Sequence, residues 1–152
     1  MSRVRIQLLL GLIVSTVLGC GSSDFTPKLG MVTGKVTMND QPLPDVTVTF
    51  EPVVPSGSDK KASEVGGSSM AVTDAEGRYT LKYKGTETKG AVVGPHIVRI
   101  TSAAGGGPAG GASAVAAIQI GSNYNTQSSL KADVKSGENS PIDFALKGRA
   151  AK

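Results

Sequence analysis

With 152 residues the chain has room for one domain and little for a second. At 39% hydrophobic and 18% charged it is too apolar to be disordered; 4% aromatics leave a light core, and 20 Gly with 8 Pro require many turns. Arg3 and Arg5 lie in a leader expected to be removed, which reduces 16 basic residues to 14 against 12 acidic. So small an excess argues against nucleic-acid binding, which needs a clustered basic surface.

Residues 1–19 read as a signal peptide, MSRVRIQLLLGLIVSTVLG. Arg3 and Arg5 form a positive n-region, and the run from Ile6 to Leu18 is apolar apart from Gln7, Gly11, Ser15 and Thr16. A membrane span needs about 20 apolar residues, so this run suits a signal-peptide core. Val17-Leu18-Gly19-Cys20 then resembles the lipobox of bacterial lipoproteins. The resemblance implies recognition through Val17, Leu18 and Gly19, a diacylglycerol on the Cys20 thiol, cleavage before Cys20 and acylation of the new amino group. Chemistry supports it: Gly19 is small enough for a peptidase site, and a thiolate is the best nucleophile for a thioether. Leu18 departs mildly from the pattern. Cys20 is the one cysteine, so no intramolecular disulfide competes for it. An ordinary secretory signal with a chance cysteine, or a short uncleaved anchor, are the alternatives. Residues 20–28 read as a lipidated tether spanning at most about 30 Å. Gly21 replaces the aspartate that retains many such lipoproteins at the inner membrane, which favours the outer membrane.

Residues 29–147 alternate with period two, as strands with one buried and one wet face do. The inward sets are Val32-Gly34-Val36-Met38, Val46-Val48-Phe50, Met70-Val72, Tyr79-Leu81-Tyr83, His96-Val98-Ile100, Leu130-Ala132-Val134 and Ile142-Phe144-Leu146. Asn39 to Pro42 joins the first two strands. Asp74-Ala75-Glu76-Gly77 signals a tight hairpin with Gly77 at positive φ, and Ser136 to Asn139 signals a last hairpin. No segment carries a helical stripe. Seven strands divided by turns predict an all-β sandwich after the signal helix. Two segments, 52–69 and 103–117, are Gly/Pro-rich without alternation and read as long loops; 114–120 could add an edge strand. Residues 148–152 read as a tail.

Val32-Thr-Gly-Lys-Val36, Gln41 to Phe50, Thr73-Asp-Ala-Glu-Gly-Arg-Tyr-Thr-Leu81 and Gly94 to Ile100 resemble a carboxypeptidase regulatory-like domain. The closing Ser128 to Gly137 and Ile142 to Leu146 resemble small bacterial lipoproteins built on it. The resemblance implies a seven-stranded transthyretin-like (prealbumin-like) sandwich and little about activity, because this fold hosts many roles. Its recurring residues have structural reasons. Asp45 or Asn39 can bond backbone in a turn, and Tyr79 can plug the core beside Val36 or Phe50.

Chemistry is sparse. His96 is the one histidine, which rules against a zinc-peptidase ligand set, and no G-x-S-x-G elbow accompanies it for a triad. Its alternation with Val98 and Ile100 places it in the core with a satisfied polar tip. The fold's hydroxyisourate hydrolases need further histidines and a C-terminal Tyr-Arg-Gly-Ser, whereas this chain ends Lys147-Gly-Arg-Ala-Ala-Lys152. Asp74 and Glu76 alone do not make a calcium loop, and the glycines from Gly105 lack the Lys-Ser/Thr of a phosphate loop. Lys82, Lys84 and Lys89 read as solvated. The sequence therefore predicts no catalytic or metal residues and no cofactor. It predicts a membrane partner through lipid on Cys20 and an unidentified envelope protein or polysaccharide. The expected role is a non-catalytic binding or structural module. A carrier for a small apolar or sugar ligand, with Tyr83 and Tyr124 as a thin stacking platform, stands second, and a hydrolase third.

Overall fold

A computed structural model describes residues 26–61, 64–102 and 120–148. The leader with Val17, Leu18, Gly19 and Cys20, the loop 103–117, the edge strand expected at 114–120 apart from Ile120, and residues 149–152 lie outside the described residues.

The described chain is all-β, with no helix of seven residues or more. Its strands are β1 (Leu29–Met31), β2 (Thr33–Met38), β3 (Gln41–Pro42), β4 (Val46–Pro52), β5 (Ser69–Val72) and β6 (Arg78–Thr80). They continue as β7 (Lys82–Tyr83), β8 (Ala91–Val92), β9 (Gly94–Ser102), β10 (Lys131–Val134), β11 (Gly137–Glu138) and β12 (Phe144–Leu146). One wall is a five-stranded sheet in the order β10-β9-β4-β5-β7. The other strands join as β11-β1-β8 and β12-β2-β3, with β6 on β2. β1 and β2 are separated by Val32 alone, so one extended stretch threads both of these sheets.

The alternation of Val46, Val48 and Phe50 with threonines places these three on the inner face of β4. Val98 and Ile100 of β9 share that face, since Phe50 opposes Val98 and Val48 opposes Ile100. Val32, Val36, Tyr79, Leu81, Phe144 and Leu146, from the other strands and the links between them, belong with these to one buried cluster. Removing such side chains from water stabilises the fold by roughly 1.5–3 kcal/mol each, before entropy is charged. Phe50 sits among rings: Tyr79 at 6.5 Å, Phe144 at 6.2 Å and His96 at 5.6 Å between centroids.

Three expectations change in the structure. Met70 and Val72 point outward, 41% and 49% exposed, while Ser69 is buried opposite Phe50. Thr73 causes this reversal. Its N–H donates to the Val46 carbonyl (2.9 Å), and its hydroxyl accepts from Val46 N (3.0 Å) and donates to the Leu43 carbonyl (2.8 Å). These bonds pin a register in which Ser69 and Thr73 point inward, and a one-residue difference inverts a strand's faces. Second, the turn at Asp74–Gly77 forms, with Gly77 at φ 73°, yet its flanking strands separate. β5 pairs β4 and β7, while β6 pairs β2. Third, Ser136–Asn139 makes no hairpin. Gly137 and Glu138 instead pair in parallel with Gly30 and Met31, and β12 runs parallel to β2 with Phe144 opposite Val36. Burying Phe144 and Leu146 against Val36 requires the chain to cross from one wall to the other.

Asn39 and Asp40 both have positive φ, 51° and 65°, between paired Met38 and Gln41. That is a two-residue hairpin of the I′ kind, which Asn and Asp tolerate. It returns the chain along β2 before Leu43 carries it to β4.

Candidate functional site

The strongest candidate is a cleft of about 250 Å³ where β4 leaves the five-stranded sheet and β9 enters it. Pro52 ends β4, and the next N–H, that of Val53, donates to the Pro95 carbonyl at 2.9 Å. The chain then makes an excursion held by local bonds, Ser58 N to the Pro55 carbonyl (3.1 Å) and Lys61 N to Glu64 Oε2 (3.0 Å). The segment expected as a loop from 52 to 69 thus has defined turns in its described part. It returns through Gly66 at φ 97°, where a Cβ would press on Val92 at 3.0 Å and Pro27 at 3.1 Å. Gly67 N donates to the Tyr83 hydroxyl at 2.9 Å.

The entering chain forms the opposite wall. Val93 N donates to the Lys28 carbonyl at 2.9 Å, so the end of the expected 20–28 tether is attached to the domain. Val53, Val65, Val92 and Val93 with Pro27, Pro55 and Pro95 make the lining apolar. The prolines carry no N–H, which removes three backbone donors from the wall. Lys28, Lys60 and Glu64 supply its charge. Glu64 is tied to the Lys61 amide, whereas neither the Lys28 nor the Lys60 ammonium has a hydrogen-bond or ion-pair partner among the described residues.

His96 lies just behind this lining. Its ring is 2% exposed, and Nδ1 donates to the carbonyl of Gly94, a cleft residue, at 2.9 Å. That bond leaves Nε2 as the unprotonated nitrogen, and Nε2 is buried without a partner among the described residues. Burial pushes the His96 pKa below its usual value, against the opposing pull of the Gly94 carbonyl and Asp133. The ring is a neutral core group held against Phe50, and the expected polar tip is satisfied on one nitrogen only. Ser69 Oγ, on the other side of Phe50 along the sheet, is likewise buried without a partner among the described residues.

The other sequence candidates sit apart from the cleft. Asp74 Oδ1 accepts from Glu76 N (3.1 Å) and Arg78 N (2.7 Å), which closes the turn. Gly77 packs on the Val36 carbonyl, where any side chain would overlap. Tyr83 spends its hydroxyl on Gly67, and Tyr124, in the 3-10 turn Ser122–Tyr124, accepts from Lys147 N at 3.1 Å. Both hydroxyl groups are thus committed to backbone amides. Lys82 pairs with Glu87. Among the described residues no three His, Cys, Asp or Glu side chains converge for a metal. No described helix is long and apolar enough to cross a membrane.

Sequence reading missed the cleft because its walls come from three separated segments. Pro27, Pro55 and Pro95 were the one available signal, and they stand apart in the sequence, in the tether, the loop 52–69 and the segment Gly94 to Ile100. Compared with known proteins, the chain matches no family model, no curated protein and no solved structure.

Proposed function

We propose that this chain is an exported bacterial lipoprotein, held on a membrane through lipid on Cys20. Its domain acts as a non-catalytic binding or structural module of the cell envelope. The observation that carries this reading is Val17-Leu18-Gly19-Cys20 at the end of a short apolar run behind Arg3 and Arg5. Gly21 favours the outer membrane. Each buried CH₂ contributes about 0.8 kcal/mol to membrane binding, so two or three acyl chains hold firmly where one does not. The domain is similar to a carboxypeptidase regulatory-like domain, a seven-stranded transthyretin-like sandwich, through the Gly34 to Phe50 string and the turn before Tyr79.

A non-catalytic role is supported by how the titratable side chains are used. A general base must reach a substrate proton. The His96 ring is instead buried against Phe50, with Nδ1 committed to Gly94. Asp74 is committed to its own turn. The cleft beside Lys28 favours the second reading, a carrier of a small ligand on the same anchor.

Labelling cells with palmitate tests the anchor. Wild-type protein is expected to incorporate label and to sediment with membranes. Cys20→Ala is expected to lose the label and to accumulate as precursor or soluble protein. Unlabelled wild type with unchanged membrane retention in Cys20→Ala would overturn the reading.

A further inference from the structure

We propose that the cleft between Lys28, Lys60 and Val92–Pro95 is a binding site for a small amphipathic monocarboxylate. The proposal specifies what the domain binds, and it rests on the reading of that domain as a binding module rather than on the lipid anchor.

Volume sets the size of the ligand. Cavities for drug-sized molecules run from about 300 to 1,000 Å³, and a dry cavity of about 150 Å³ takes a six-carbon ring. The cleft's roughly 250 Å³ therefore suits a body of about eight to ten non-hydrogen atoms. Lining chemistry sets the body. Four valines and three prolines offer apolar contact and few donors, so an aliphatic chain is preferred over a sugar, whose hydroxyls would lose water without replacement.

Charge sets the head. Two lysines and one glutamate leave the lining with one net positive charge. The glutamate is already tied to the Lys61 amide, while both lysines are exposed and unpaired among the described residues. A singly charged carboxylate balances this site. A cation would meet the net positive charge of the lining, and a neutral alcohol would gain nothing from it.

The structure also supplies a reporter. His96 is the sole histidine, and its Nδ1–H bonds the carbonyl of Gly94 in the cleft wall. A ligand against Gly94 should move the His96 imidazole resonances although the ring is buried.

The test uses the full chain in phosphatidylcholine nanodiscs, titrated with hexanoate, hexanol or hexylammonium and followed by NMR. Hexanoate is expected to shift the His96 imidazole and the Val93 and Gly94 amides saturably. Its affinity should be at least about 10-fold above that of hexanol, with no saturable response to hexylammonium. Lys28→Gln with Lys60→Gln should weaken hexanoate about 10-fold with an otherwise unchanged amide spectrum, because both side chains are exposed and unpaired. Val65→Trp, which fills the cleft, should abolish binding. No saturable shift up to about 20 mM hexanoate, a level at which sites in the usual affinity range are filled, would overturn the proposal. So would equal affinity for hexanol, or full affinity in the double variant. Palmitate labelling of Cys20 is read on the same preparation, so failure of the site and failure of the anchor are separate results.

Discussion

Tyr79 donates its hydroxyl to the Ile142 carbonyl at 2.6 Å, while its ring stacks on Phe144 at 6.5 Å and an angle of 20°. One side chain thus joins β6 to the segment entering β12. Burial first, and the Asp143 charge second, push the phenol well above its usual pKa, which keeps it a donor. Tyr79→Phe should retain the ring packing and strand the carbonyl, costing about 1–3 kcal/mol in urea denaturation. His96 carries a pH dependence of known sign. Its folded pKa lies below the ordinary 6.5, so the unfolded chain binds the proton more readily. Stability is therefore full above about 6.5 and falls as pH drops from there through the folded pKa, below which this group adds no further loss. Urea midpoints across that range should fall less steeply in His96→Gln than in the wild type. An equal slope in both proteins would exclude His96 as the source. That this ring would be buried was legible in its alternation with Val98 and Ile100. The unpartnered Nε2 was not, because the surroundings of a nitrogen depend on neighbours distant in sequence.

At the scale of elements, the turn Asp74–Gly77 shows how far local chemistry reaches. Gly77 takes φ 73°, and Asp74 Oδ1 holds two amides of the turn, as the residue types imply. Gly77→Val should cost well over the ~1 kcal/mol of a propensity change, since strain at positive φ adds to overlap with the Val36 carbonyl. A thermal melt within one degree of wild type would contradict this. The turn does not disclose which strands it separates, because the same four residues serve a hairpin or a crossover. β5 makes the same point for faces. Met70 and Val72 are apolar and alternate, yet they face outward because Thr73 is bonded to Leu43 and Val46. Hydrophobic alternation in a four-residue strand is too weak a signal to outweigh three hydrogen bonds that set its register.

For the whole molecule, closure depends on β12. Phe144 and Leu146 are buried at the end of the described chain, paired in parallel with Val36 and Met38. Phe144 touches both Phe50 and Tyr79, so it joins the two walls of the core. Phe144→Ala should cost about 3–5 kcal/mol, a large share of the 5–15 kcal/mol typical of a domain. Guanidinium unfolding measures this directly, and a cost under about 1 kcal/mol would show that β12 is peripheral.

The sequence by itself determined the all-β class, the inward residues of β2, β4, β9, β10 and β12, and the positive φ of Gly77. Each depends on neighbours a few positions away, through the period-two pleat or the steric freedom of glycine. Only the tertiary structure decided the parallel closures of β11 on β1 and β12 on β2, the outward face of β5, and the cleft. Each of these joins residues far apart in the chain. Lys28 meets Val93, Val53 meets Pro95 and Phe144 meets Val36 through backbone pairing that no local pattern encodes.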